Sequence, residues 1–112
     1  MKEIEIVLGE DDHLEDILLH NKHRISVHLA KMLIWALDNN MDSFSFANIK
    51  IEGDDGGNFQ LGCKREDYLE ALEKQKENLI EFEEYELCPK MEEWIGYLEA
   101  EIIVKNIDDH LR

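Results

Sequence analysis

The segment of residues 25–37, ISVHLAKMLIWAL, is the feature that most constrains the fold. As a helix it carries apolar side chains on almost every face, and such a helix is stable only when other elements surround it. Asn39 and Asn40 follow it, and Asn tolerates the left-handed conformation that ends many helices. We therefore expect a buried central helix that the rest of the chain must cover.

Alternating apolar residues predict the strands that cover this helix. Residues 2–9, KEIEIVLG, have the period of a half-buried strand that ends at a glycine. Residues 43–63 predict a hairpin, because two alternating stretches flank the turn signal GDDGG. In the first stretch the apolar phase shifts by one residue, which predicts a β-bulge near residues 47–48.

Helical spacing predicts three further helices. A short helix around residues 14–18 has Asp11 or Asp12 as its expected cap. A longer helix begins near Glu66 and should stop or bend around residues 82–86, where glutamates fall on its apolar face. Pro89 suits the first turn of the last helix.

The last helix carries a second apolar face, about 150° from its core face on the helical wheel. We call this face the C-terminal apolar stripe. Either the segment is not one straight helix, with residues 102–104 as a short edge strand, or a partner covers the stripe. Its members, the predicted oligomer interface, are Ile103, Val104, Ile107 and Leu111.

Together these elements predict the order β-α-α-β-β-α-α and an α+β fold. We expect a small antiparallel sheet of about three strands with helices packed on it. A chain of 112 residues has room for one core, so residues 1–112 are predicted to form a single domain.

The charge balance narrows the class of partner. The chain has 27 acidic and 12 basic residues, a net charge of −15. Residues 66–112 hold 15 acids and 5 bases, whereas residues 1–65 hold 12 acids and 7 bases. Such a field repels nucleic acid and anionic membranes, so neither is expected to bind directly. It favours a basic protein surface.

The predicted partner-binding residues form what we call the acidic surface. Five glutamates lie within about 80° of one another on the helix that begins near Glu66. Pairs such as Glu70–Lys74 and Glu73–Lys76 are expected to offset part of their mutual repulsion. Two further glutamates flank a tryptophan, whose helical spacing also fits a core position. The acidic surface comprises Glu70, Glu73, Glu77, Glu81, Glu84, Glu92, Glu93 and Trp94.

The histidines suggest two weaker alternatives. Four of them lie in the first helical region, with Asp16 four residues before the second, but the spacing matches no zinc pattern, and no metal ligand is assigned. Residues 20–24, HNKHR, with Lys31 form the only basic stretch, which could meet the acidic half of a second copy in a charge-paired dimer. The four histidines are His13, His20, His23 and His28.

No catalytic motif occurs in the sequence, so we expect no enzyme, no catalytic residue and no cofactor. The residues EGDDGGN lack the spacing of a calcium loop and fit a hairpin turn. Cys63 and Cys88 form no CxxC pair, which favours reduced thiols, and the N-terminus does not have the pattern of a signal peptide. We therefore expect a cytoplasmic protein.

These observations favour a small non-enzymatic binding protein that inhibits or docks on a basic, nucleic-acid-handling protein such as a nuclease. DNA mimics, anti-defence proteins and immunity proteins share this small acidic build, an analogy of type only. The alternative is a structural or regulatory homo-oligomer, for instance a homodimer, that uses the C-terminal apolar stripe. A metal-dependent enzyme that uses the histidines is the weakest of the three hypotheses.

Overall fold

A computed structural model describes residues 1–53 and 56–111. The predicted element order and the α+β class are confirmed. A single 3₁₀ turn, Arg65–Asp67, precedes the third helix. The elements are β1 (Ile4–Leu8), α1 (Leu14–His20), α2 (Lys22–Asp38), β2 (Ser43–Ile51), β3 (Asn58–Lys64), α3 (Tyr68–Glu81) and α4 (Cys88–Leu111).

The sheet has the order β1-β2-β3 and is mixed rather than wholly antiparallel. β2 and β3 pair antiparallel as the hairpin predicts, but β1 runs parallel to β2, with Ile6 opposite Ile49. The reason lies in the connection: α1 and α2 carry the chain back between the two strands, so β2 starts from the same end of the sheet as β1.

The β-bulge is confirmed and lies one residue earlier than predicted. The register between β2 and β3 shifts between Ser45 and Ala47, which leaves Phe46 as the extra residue. Because of the bulge, Phe44 packs in the cluster around α2, α3 and α4, whereas Ala47 packs in the cluster around β1 and α1. Phe46 packs against both clusters and so connects them.

α2 is the central helix that its sequence predicts, and it contacts α1, α3, α4 and β2. It ends at Asp38 with Asn39 as its C-cap, and Asn40 has a φ of 52°, the left-handed conformation expected there. Its buried residues are Ser26, Leu29, Ala30, Met32, Leu33, Ala36 and Leu37.

The predicted acidic cap of α1 is wrong. His13 occupies the N-cap position and makes no side-chain capping bond. Asp12 instead accepts a hydrogen bond from the backbone N–H of Gly9, with 2.8 Å between N and Oδ2. The carboxylate therefore closes the turn after β1 rather than the first turn of the helix.

The two C-terminal helices meet at the predicted break. α3 ends at Glu81, and Glu83 then adopts a φ of 59°. α4 begins at Cys88 with Pro89 in its first turn, and it continues without interruption to Leu111. The edge strand considered for residues 102–104 is therefore wrong, because these residues are helical.

Candidate functional site: the acidic surface of α3 and α4

The acidic surface is exposed on two adjacent helices and the turn between them. Its first four glutamates lie on α3 and its last two on α4, and all seven are exposed. Glu84 does not continue the α3 row as predicted, because the helix ends before it. Its carboxylate lies 3.1 Å from Nε2 of His23 on α2. The surface therefore spans α3, the turn and the start of α4.

Four of the seven glutamates form ion pairs with lysines of the same chain, at N–O distances of 3.0–3.8 Å, and Glu84 contacts the imidazole of His23. Within residues 1–53 and 56–111, Glu70 and Glu73 form none. The pairs predicted between Glu70 and Lys74 and between Glu73 and Lys76 are absent there. The pairs found are Lys74–Glu77, Lys22–Glu81, His23–Glu84, Lys76–Glu92 and Lys90–Glu93.

Two of the lysines pair with glutamates on other helices rather than with neighbours in the sequence. Lys76 reaches Glu92 on α4 at 3.0 Å, the shortest of these pairs, and Lys22 reaches Glu81 from α2 at 3.7 Å. The spacing of residues within α3 could not indicate these two ion pairs, because each joins a residue of α3 to a residue of another helix. The unpaired negative charge of the site is therefore concentrated on the first half of α3, at Glu70 and Glu73.

Trp94 lies at the boundary between the core and the acidic surface. Its half-buried indole packs against the main cluster and meets Tyr97 edge-on, with ring centroids 5.5 Å apart. The ammonium of Lys90 lies 5.9 Å from its ring centroid. Its buried Nε1 has no hydrogen-bond acceptor among the residues that the structure describes. The side chain thus belongs mainly to the packing between α4 and the core.

The histidines do not gather into one site. His13 lies at the N-cap position of α1, whereas His20, His23 and His28 line an open groove along α2. The imidazole of His23 stacks on Phe82 with ring centroids 4.5 Å apart, in addition to its contact with Glu84. Across residues 1–53 and 56–111, no group of three or more His, Cys, Asp or Glu side chains is arranged to hold a metal ion.

The groove along α2 is the basic counterpart of the acidic surface. Arg24 and Lys31 line it together with the histidines, and its volume is about 500 Å³. Neither of these cations forms an ion pair with another described residue. Burial lowers the pKa of His28, which favours its neutral form.

Both cysteines are free thiols. Burial, with a smaller contribution from the Asp67 carboxylate, raises the pKa of Cys63 to about 11. A thiol of this kind holds its proton near neutral pH and is a poor nucleophile. Cys88 lies at the start of α4, and its Sγ is 3.8 Å from the carbonyl oxygen of Glu84.

The hairpin loop lies partly outside the described residues. Gly53 has a φ of 117°, a conformation that favours glycine, and the N–H of Gly56 bonds to its carbonyl oxygen at 3.1 Å. The φ angle and the hydrogen bond both fit the predicted turn. Asp54 and Asp55, the central acids of the EGDDGGN segment, lie outside the described residues.

The C-terminal apolar stripe lies on the part of α4 that extends past the core. Every residue from 99 to 111 is exposed. Large aliphatic groups therefore face solvent along about three turns of helix. The exposed fractions are 58% for Ile103, 62% for Val104, 54% for Ile107 and 79% for Leu111.

Comparison of the chain with protein-family models, with curated proteins and with solved structures finds no match. The class defined here is thus structural: an α+β protein with a three-stranded mixed sheet and four helices. In residues 1–53 and 56–111, no helix combines the length and the apolar character needed to cross a membrane.

Proposed function

We propose that this chain is a small, non-enzymatic binding protein that docks on, and thereby inhibits, a basic protein that handles nucleic acids. The observation that carries the proposal is the acidic surface, where seven exposed glutamates lie on α3, the following turn and α4. A surface of this sign attracts cationic proteins and repels nucleic acid itself.

Glu70 and Glu73 supply the charge that a partner meets first, because they carry no internal counter-ion among the described residues. The neighbouring pair Lys74–Glu77 is a weak one, with N and O 3.8 Å apart and both side chains mostly exposed. Exposed pairs of this kind contribute about 0–1 kcal/mol. A partner's arginine can therefore displace Lys74 at little cost.

The mechanism that we propose is occupation of phosphate-binding positions by carboxylates. Successive glutamates along α3 are about 5 Å apart in axial rise, against about 3.4 Å between phosphates of one DNA strand. Attraction between the opposite fields raises the association rate. The exposed ring of Tyr97, next to Trp94, offers apolar contact that slows dissociation.

A cytoplasmic location and the absence of a cofactor are part of the same proposal. Two free thiols fit a reducing compartment. The alternative of a metal-dependent enzyme receives no support from the histidines, which are divided between the α1 cap, the groove and the contact with Phe82.

The first test is affinity capture from the lysate of the native cell, with loading at low salt and elution in salt steps. We expect one basic, nucleic-acid-handling protein to be retained and then released by salt, because charge dominates the contact. Retention of acidic proteins only, or of nothing above background, would contradict the proposal.

A charge-reversal variant then tests the site. Replacing Glu70, Glu73 and Glu77 by Lys removes three contacts of up to about 1 kcal/mol each, so the affinity for the captured protein should fall roughly 100-fold. The matched control reverses the exposed acids Glu5, Glu15 and Asp38, which changes the net charge equally away from the acidic surface. An equal loss in both variants would mean attraction by overall charge rather than binding by this surface.

A further inference from the structure

The apolar face of α4 extends beyond the four residues of the C-terminal apolar stripe. Tyr97 and Ala100 continue it towards the core, and Tyr97 is 58% exposed. Seen down the helix, this face lies opposite Met91 and Leu98, the two residues that α4 buries in the core. The body of the protein therefore sits on the other side of α4 and leaves the face open to a partner.

The spacing of this face is that of a helix that pairs with another helix. Apart from Ile103, which lies at the side of the face, its apolar residues recur at alternating intervals of three and four, the heptad pattern of helix–helix seams. The positions on the other side of the helix are mostly polar, among them Lys105, Asn106 and Asp109. The seam residues are Tyr97, Ala100, Val104, Ile107 and Leu111.

We propose that a second copy of this chain covers the face, with the two α4 helices packed antiparallel. In that orientation the last four seam residues are complementary to themselves in size, and Tyr97 lies past the end of the partner helix. Ala100, the smallest seam residue, lies opposite Leu111 of the second copy, and Val104 lies opposite Ile107 of the second copy. Each pairing occurs twice, as a twofold axis requires.

Charge selects the antiparallel orientation over the parallel one. Each chain carries a net charge of −15, and a parallel pair would bring the two globular bodies side by side at one end. An antiparallel pair places them at opposite ends of the seam. It also sets the two helix dipoles in opposite directions, which is favourable for neighbouring helices.

The area of the seam predicts a weak dimer. Full burial of one large aliphatic side chain removes about 60–120 Å² of accessible surface. The five seam residues of each copy are about half exposed in the monomer, so covering them in the dimer removes about 600 Å² of apolar surface. With the polar fraction of an ordinary interface, the total is about 1,000 Å², at the lower limit for a specific contact. We therefore expect dissociation in the micromolar range.

The first experiment measures molar mass by sedimentation over protein concentrations from about 1 to 500 µM. The wild-type mass should rise from monomer to dimer, and the variant Ile107→Glu should stay monomeric at every concentration. Asn106→Glu adds the same charge at the preceding residue, outside the seam, and its dimer dissociation constant should stay within threefold of the wild-type value. A monomeric wild type, or a dimeric Ile107→Glu variant, would overturn the proposal.

Salt separates this dimer from a charge-paired one built from the basic groove and the acidic surface. Higher salt screens the repulsion between two acidic chains, so the seam dimer should tighten severalfold between 50 and 500 mM NaCl. A charge-paired dimer would weaken over the same range. Weakening would therefore overturn the seam proposal.

Cysteine cross-linking tests the orientation, in a background in which Cys63 and Cys88 are replaced by Ala. Under mild oxidation, a mixture of the Ala100→Cys and Leu111→Cys variants should form the mixed disulfide far faster than either variant links to itself. Faster self-linking of Ala100→Cys would indicate the parallel pair and overturn the proposal. The folded state of each variant is checked by circular dichroism.

Self-association does not rest on the proposed inhibitor function. Ile107→Glu should capture the same basic protein as the wild type, because the seam contains none of the glutamates of the acidic surface. Conversely, the reversal of Glu70, Glu73 and Glu77 should leave the dimer in place. Sedimentation can therefore contradict the dimer while capture still supports the inhibitor proposal, and the reverse also holds.

Discussion

The two halves of α4 are similar in sequence character and opposite in environment. The first half buries Met91 completely and leaves only 6% of Leu98 exposed. The second half, residues 99–111, carries four large aliphatic residues in the C-terminal apolar stripe and buries none. The apolar content of a segment alone therefore does not decide whether it is buried. Burial requires another element of the protein that packs against that segment.

The lengths of the helices explain where burial stops. α3 has 14 residues and α4 has 24, and the two run antiparallel, since Lys76 pairs with Glu92 and Arg65 pairs with Glu101. The 3₁₀ turn that precedes α3 therefore lies beside Glu101. Beyond that residue about ten residues of α4, roughly 15 Å of helix, extend past the body.

The largest expected effect is a difference in stability between the two halves. Leu98→Ala removes a buried side chain and should lower the free energy of unfolding by about 2–5 kcal/mol. Ile107→Ala should change it by less than about 0.5 kcal/mol, because the side chain is exposed in the monomer and Ala favours helix. Urea unfolding at 1 µM protein, where we expect monomer, measures both. Equal losses would mean that the second half belongs to the core.

A smaller effect concerns local order. A helical segment of about ten residues without tertiary support is marginally stable in water, so the amides of residues 103–111 should exchange much faster than those of residues 91–98. The contrast should shrink as the protein concentration rises and the seam forms. Hydrogen exchange at 1 and 500 µM tests this, with the amides of α2 as an internal reference. Amide exchange rates in residues 103–111 that do not change with protein concentration would argue against pairing of the two α4 helices.

The smallest effect lies at the junction of the two halves. Arg65 Nη2 and Glu101 Oε2 are 3.4 Å apart in a half-exposed pair, which should contribute about 0.2–1 kcal/mol. A double-mutant cycle with Arg65→Ala and Glu101→Ala isolates this coupling from the packing of the arginine stem. A coupling energy of zero would mean that only apolar contacts hold α4 beside the start of α3.

Local signals predicted most of the fold. The burial of α2 followed from its apolar residues, and the end of α3 followed from glutamates that have no place on a core face. The bulge at Phe46 was visible as a change of phase. Each of these features depends on residues close together in the chain, which is why a sequence alone can reveal it.

Features that depend on distant residues were not predictable in this way. The parallel pairing of β1 with β2 is set by the path of α1 and α2. Likewise, the counter-ion of Glu92 is Lys76 on another helix, so more of the charge of the acidic surface is neutralised than the sequence suggests. The continuous α4 was ambiguous because one helix carries two apolar faces, and local periodicity cannot say what covers the second.

The mixed sheet has a consequence for the behaviour of the protein at high concentration. β1 and β3 are both outer strands among the described elements, so each has one row of backbone N–H and C=O groups without a neighbouring strand. Such edges can recruit other chains into aggregates. The exposed carboxylate of Glu5 on β1, together with the overall negative field, keeps these edges apart. The net negative charge that attracts the proposed basic partner thus also supports the colloidal stability of the protein.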